Sequence, residues 1–179
     1  MPNNYTLLSR REALGAIGAA RFAAPLQGFQ RFFYGTDEPL PRQIALTAGP
    51  LTMVFEPELA FLRYLRLGQT EVIRGIYAAV RDRNWGTIAP RVTGLKIEQR
   101  ETSFLASFDV ECKQAPIDFL WRGEISGDSE GNVRFRFSGQ ARSTFLRNRL
   151  GFCVLHPVRE CAGKPCTVTH TGGSREEGK

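Results

Sequence analysis

TGLKIEQRETSFLASFDV, residues Thr93 to Val110, is the stretch from which the fold is read. In its first half Leu95 and Ile97 face one way and Lys96 and Glu98 the other. In its second half Phe104, Ala106, Phe108 and Val110 alternate with Ser103, Ser107, Asp109 and Glu111. A period of two puts the apolar set on one side of a strand and the polar set on the other. Glu101-Thr102 between the halves predicts a hairpin. Ile117 to Ser126 and Val133 to Ser143 form the next pair, separated by the turn residues Gly127 to Asn132. There Val133, Phe135 and Phe137 oppose Arg134, Arg136 and Ser138, the pattern of an antiparallel sheet with one wet face.

The same grammar extends in both directions. Gln43 to Thr47 and Leu51 to Glu56 flank a Gly49-Pro50 turn and read as adjacent strands. Leu59 to Leu67, with Arg63 and Arg66 set into an apolar run, fits a strand or a short helix. Thr70 to Val80 opens with β-branched residues and carries Gly75, which favours a strand. Phe152 to Leu155 and Cys166 to Thr171 complete about nine strands, so the predicted class is an all-β antiparallel sandwich, alone or as part of a supersandwich. Residues 34–179 are assigned to it. Residues 1–33, rich in Ala, Gly and Arg, are read as a leader that is a short helix or lacks stable structure. The last residues, Ser174 to Lys179, offer no apolar closing strand, and Glu176-Glu177 are expected in a frayed tail. The chain is therefore expected to be the front piece of a longer multidomain protein.

Composition narrows the function classes. Apolar residues make up 42% and charged residues 23%, which excludes a disordered chain, and no apolar run nears the roughly 20 residues of a membrane span. The net charge of +6 does not read as a nucleic-acid footprint, because the arginines alternate with apolar or acidic positions instead of gathering on one face. Cys112 and Cys153 lie in apolar runs and read as buried thiols. Cys161, Cys166 and His170 have loose metal-ligand spacing, but reduced structural cysteines in a cytoplasmic protein are the plainer reading, with no metal and no cofactor. Ser9-Arg10-Arg11 before a small-residue run resembles a twin-arginine export signal, with a core too weak and interrupted by Arg21.

Two polar clusters carry the candidate chemistry. In VRDRNWG, Val80 to Gly86, the side chains of Arg81, Arg83 and Asn84 would grip hydroxyls or a carboxylate, and Trp85 would stack on a sugar ring. The plain alternative is a turn in which Asp82 accepts backbone N–H bonds and Trp85 plugs the core. In FLRNRLGFCVLHP, Phe145 to Pro157, Asn148 and Arg149 lead into an apolar strand that exits at His156. His156 would serve as an acid or base, or as a hydrogen-bonding group satisfied by a nearby carbonyl. Glu56 and Glu58 flank Pro57 in a turn, while Asp109, Glu111, Asp118 and Glu124 sit on wet faces, so no carboxylate is expected to be buried. No nucleophile elbow, P-loop or His-Glu-x-x-His motif is present, and no residue is assigned as catalytic.

YGTDEPLP (Tyr34 to Pro41), LTAGPL (Leu46 to Leu51), LRYLRLGQTEVIRGIYAAVRDRNWGT (Leu62 to Thr87), FLRNRLGFCVLHP and CTVTHTGGSREEGK (Cys166 to Lys179) together resemble the N-terminal region of D-apionate lactonases. RDRNWGT and NRLGFCVLHP are the most specific parts. The resemblance implies a bacterial enzyme of apiose catabolism that hydrolyses D-apionolactone to D-apionate. It implies a β-sandwich followed by a hydrolase-like barrel and a further β-domain, with the catalytic carboxylates in the barrel, beyond Lys179. The partners it implies are a sugar lactone and the remaining domains of the same protein. Two rivals stay open: a mutarotase-like sugar epimerase, in which His156, Arg81 and an acid line one concave face, and a non-catalytic carbohydrate-binding module built on Trp85.

Overall fold

The computed structural model describes Arg31, Gly35 and residues 38–178; the assigned leader lies outside the described residues apart from Arg31. From Pro41 onward the chain is one compact unit. Its strands are β1 (Ile44–Ala48), β2 (Leu51–Glu56), β3 (Phe61–Leu67), β4 (Thr70–Asp82), β5 (Pro90–Gln99), β6 (Phe104–Gln114), β7 (Ile117–Gly127), β8 (Val133–Ala141), β9 (Arg147–Leu155), β10 (Cys166–Thr169) and β11 (Arg175–Gly178). One sheet has five strands in the order β1-β2-β3-β4-β9, a second has four in the order β5-β6-β7-β8, and β10 pairs with β11 alone. Every ladder is antiparallel. The all-β sandwich read from the sequence is the observed fold.

The decisive hairpin forms where the alternation puts it: Gln99 pairs with Phe104, and the Arg100 N–H donates to the Ser103 carbonyl across Glu101-Thr102. Strands β6 and β7 pair without a register break from Phe104↔Gly127 to Gln114↔Ile117. Their inward residues meet Leu46, Phe55, Leu62 and Val80 of the five-stranded sheet in a single core. Phe55 stacks on Phe108 across the two layers with ring centroids 5.4 Å apart, and Trp121 meets Phe108 edge-on at 5.7 Å. Glycines seat the rings. Gly123 lies directly opposite Phe108, and a Cβ there would stand 2.5 Å from Phe108 Cζ and 2.9 Å from Trp121 Cζ3. Gly127 takes Phe104 in the same way. The bare backbone is thus covered by an aromatic face.

Several expectations change. Residues 59–67 are a strand from Phe61, entered through a 3-10 turn at Pro57–Leu59. The helix-like look came from burial of Leu62 and Leu65, three apart. An extra residue in β3 causes it: the register with β2 slips between Thr52 and Val54, and Tyr64 takes φ +55°. Glu56 is buried, against expectation. It accepts from Arg63 Nε at 2.7 Å and Gln43 Nε2 at 3.1 Å, and Arg63 in turn lies over the Phe61 ring at 3.9 Å. The supposed frayed tail is the strand β11, held to β10 from Cys166↔Gly178 to Thr169↔Arg175.

The apolar run Leu150 to Leu155 is the largest correction. Cys153 is buried, as read, but Phe152, Val154 and Leu155 are 40%, 47% and 40% exposed. The cause is position: β9 is the edge of its sheet, and the opposing sheet ends at β8. Phe152 reaches Phe135 and Phe137 of β8 at 4.8 and 5.8 Å, so the two edges meet in a half-open aromatic seam.

Candidate functional site

The β4–β5 turn is built by one carboxylate. Asp82 Oδ1 accepts the backbone N–H of Asn84 and of Gly86, both at 2.8 Å, and the Asp82 carbonyl accepts the Trp85 N–H at 3.2 Å. This is the aspartate-centred turn expected from the residue type. Gly86 is needed because a Cβ there would stand 2.6 Å from Asp82 Oδ2. Trp85 takes φ +70°, a region rare for bulky residues, and is 55% exposed. It does not plug the core.

Trp85 instead meets two guanidinium groups. Arg81 Cζ lies 5.7 Å and Arg149 Cζ 5.9 Å from its ring. The two arginines are brought together by strand register, since Arg81 pairs with Arg149 across the β4–β9 ladder. Tyr77, four residues before Arg81 and so on the same face of β4, accepts from Arg81 Nη2 at 3.2 Å. Sequence reading missed Tyr77; the i, i+4 spacing along a strand was the available signal. Arg83 and Asn84 belong to a different place, a cavity of about 400 Å³ that they line with Asp82, Ile88, Ile117 and Leu146. Asn148 is exposed beside Arg149.

His156 is not part of either group. It is exposed just past Leu155, which pairs with Gly75 at the far end of the ladder from Arg81↔Arg149. Six residues lie between it and Arg149, a span of roughly 23 Å in extended chain. The face shared by His156 and Arg81 that a mutarotase-like site requires is absent from this geometry. Three of the four wet-face carboxylates are taken up by ion pairs: Glu111 with Arg91 at 2.6 Å and Arg142 at 3.5 Å, Asp118 with Lys113 at 3.3 Å, and Glu124 with Arg136 at 3.6 Å. Among the described residues no three His, Cys, Asp or Glu side chains gather as a metal site, and no helix is long and apolar enough to cross a membrane. What the arrangement can do is bind: cations and an aromatic plate at one rim, and a cavity of mixed polar and apolar lining beside it.

Comparison with known proteins gives these features a setting. Residues 31–179 match the family described as D-apionate lactonase, N-terminal domain. The chain is 32% identical over 146 residues to the D-apionate lactonase of Brucella anthropi, an alignment that covers 79% of this chain and 23% of that protein. The chain thus spans less than a quarter of the relative's length. No solved structure matches it. Because the family match takes in the whole sandwich, both polar clusters and the final hairpin, this chain belongs to the D-apionate lactonase N-terminal domain family.

Proposed function

We propose that this chain is the N-terminal β-sandwich of a sugar-lactone hydrolase that opens D-apionolactone to D-apionate, with the catalytic groups carried by other domains of the same protein. The observation that carries the reading is the alignment: a D-apionate lactonase matches most of this chain, yet this chain accounts for 23% of that enzyme. Lactone hydrolysis needs an activated water and donors aimed at the tetrahedral oxyanion. Glu56, Glu111, Asp118 and Glu124 are engaged with arginines or lysine, Asp82 is committed to its own turn, and His156 is exposed at a strand exit. In this reading Arg83, Asn84 and the cavity, with Asn148 nearby in sequence to Arg149, help shape a neighbouring site and do no chemistry themselves. The protein works in the cytoplasm, a reading supported by four unpaired cysteines.

The test is hydrolysis of D-apionolactone, followed by release of acid. The 179-residue chain alone is expected to leave the lactone at its background rate, and the protein read through the rest of its genomic frame is expected to open it. Turnover by the chain alone would overturn the division of labour; inactivity of the complete protein would overturn the lactonase reading.

A further inference from the structure

Several outward-facing arginines of this sandwich are matched by carboxylates. Arg63 meets Glu56, Arg66 and Arg74 meet Glu71, Arg91 and Arg142 meet Glu111, and Arg136 meets Glu124. Arg81 and Arg149 differ in facing each other. They stand directly opposite each other in the ladder, where like charges repel, and neither has a carboxylate partner among the described residues. Arg81 Nε is shielded from solvent and has no acceptor. A buried donor left without a partner calls for a physical explanation.

The surroundings hold this pair in place without neutralising it. Tyr77 Oη takes one Arg81 donor. Trp85 presents its ring to both guanidinium groups and is fixed by the turn that Asp82 organises. Asp82, the acid nearest in sequence, has Oδ1 committed to two backbone N–H groups and Oδ2 packed against Gly86. Trp85 is kept in an unfavourable φ, a cost that persists where surrounding structure over-determines it. The result is two guanidinium groups near one indole ring, with the Arg149 donors exposed and Arg81 partly covered.

We propose that Arg81, Arg149 and Trp85 form a binding site for the carboxylate of an open-chain sugar acid. The exposed Arg149 guanidinium offers a planar carboxylate paired N–H donors, Arg81 adds a second positive charge and its remaining Nη donors, and the exposed part of the indole ring suits the C–H faces of a polyhydroxy chain. A neutral lactone offers the same hydroxyls and no charge. The site therefore distinguishes the product of ring opening from its substrate. The identity of the acid as D-apionate rests on the lactonase reading; the carboxylate preference rests on the arginine pair alone.

The chain carries its own probe. Of its two tryptophans, Trp121 is 2% exposed and Trp85 is 55% exposed, so fluorescence changes on titration report chiefly on Trp85. Sodium D-apionate is expected to give a saturable change that weakens as salt rises, while D-apionolactone and matched sodium chloride give none. Arg149→Gln is expected to weaken binding by about tenfold or more, the scale of a lost charge-assisted pair. Arg149→Lys, which keeps the charge, should recover only part, because the fork is gone. Absence of saturable binding, equal binding of lactone and acid, or full affinity in Arg149→Gln would overturn the site. Acetate or inorganic phosphate binding as tightly as D-apionate would overturn the sugar-acid assignment. Lactone hydrolysis by the complete protein without binding here would sink this site alone, and binding here without hydrolysis would sink the lactonase reading alone.

Discussion

Replacing Gly123 with alanine tests how the core is seated. The new methyl would stand 2.5 Å from Phe108 Cζ and 2.9 Å from Trp121 Cζ3, whereas carbon atoms rest at about 3.5 to 4.0 Å. Phe108 would have to retreat by about 1 Å to restore that spacing. It has nowhere to go: it is 1% exposed and is held by Phe55, Trp121 and Phe135 at centroid distances of 5.4, 5.7 and 6.3 Å. Overpacking of this kind costs about 1–3 kcal/mol, and the stiffer unfolded chain returns about 0.4–1 kcal/mol. The net loss is about 1–2 kcal/mol, or about 2–8 °C in Tm for a domain of this size. Differential scanning calorimetry of Gly123→Ala should show it. The same substitution in a Phe108→Leu background should cost clearly less, because the nearer of the two colliding rings is gone, giving a coupling of about 1 kcal/mol. A Tm that stays or rises, or an equal loss in both backgrounds, would refute the argument.

Other perturbations address other parts of the sandwich. Arg63→Met leaves the buried Glu56 carboxylate with only Gln43 as partner and should cost about 3 kcal/mol in urea unfolding, while the paired change with Glu56→Gln should recover much of it. Burial raises the Cys112 thiol above its ordinary value, partly countered by the Trp121 indole, whose N–H otherwise has no acceptor. With Cys153 also buried, a thiol reagent at neutral pH should modify Cys161 and Cys166 quickly and the other two only after unfolding. In the β7–β8 turn the Asn132 side-chain amide, then its backbone N–H, holds Asp128 below the ordinary carboxylate value. A depressed carboxylate contributes stability above its unfolded value and loses it as pH falls through the folded one. The protection factors of the Glu130 and Asn132 amides, relative to their intrinsic exchange rates, should therefore fall in acid, and Asp128→Asn should flatten that response.

The parts of this fold that could be read from the chain are those with local causes. Strands β5 to β8 announce themselves because each has one wet and one dry face and is joined to the next by a short turn. The Asp82 turn is likewise readable, since Asp, Asn and Gly occur at the spacing it uses. What was not readable depends on partners far away in sequence. An apolar run such as Leu150 to Leu155 says nothing of whether another layer extends over it, and here the opposing sheet stops short. Glu56 looked solvated because its acceptor role depends on Arg63, which the β2–β3 register places diagonally across from it. The candidate site shows the same division. Arg81 and Trp85 could be named from one segment and Arg149 from another, but only the register shows that they share a rim and that His156 does not.

The pairing of β4 with β9 also sets an order of assembly. Residues 83–146 separate these neighbours, and within that span the whole second sheet is made from consecutive hairpins. As the chain leaves the ribosome, at about 5–20 residues per second, β4 is finished several seconds before its last partner exists. During that interval its free edge is a template for any passing strand. Closing it then depends on a long loop already shortened by local folding, which reduces the entropy that the final step must overcome. The rim that joins Arg81 to Arg149 is accordingly one of the last features of the sandwich to come into being.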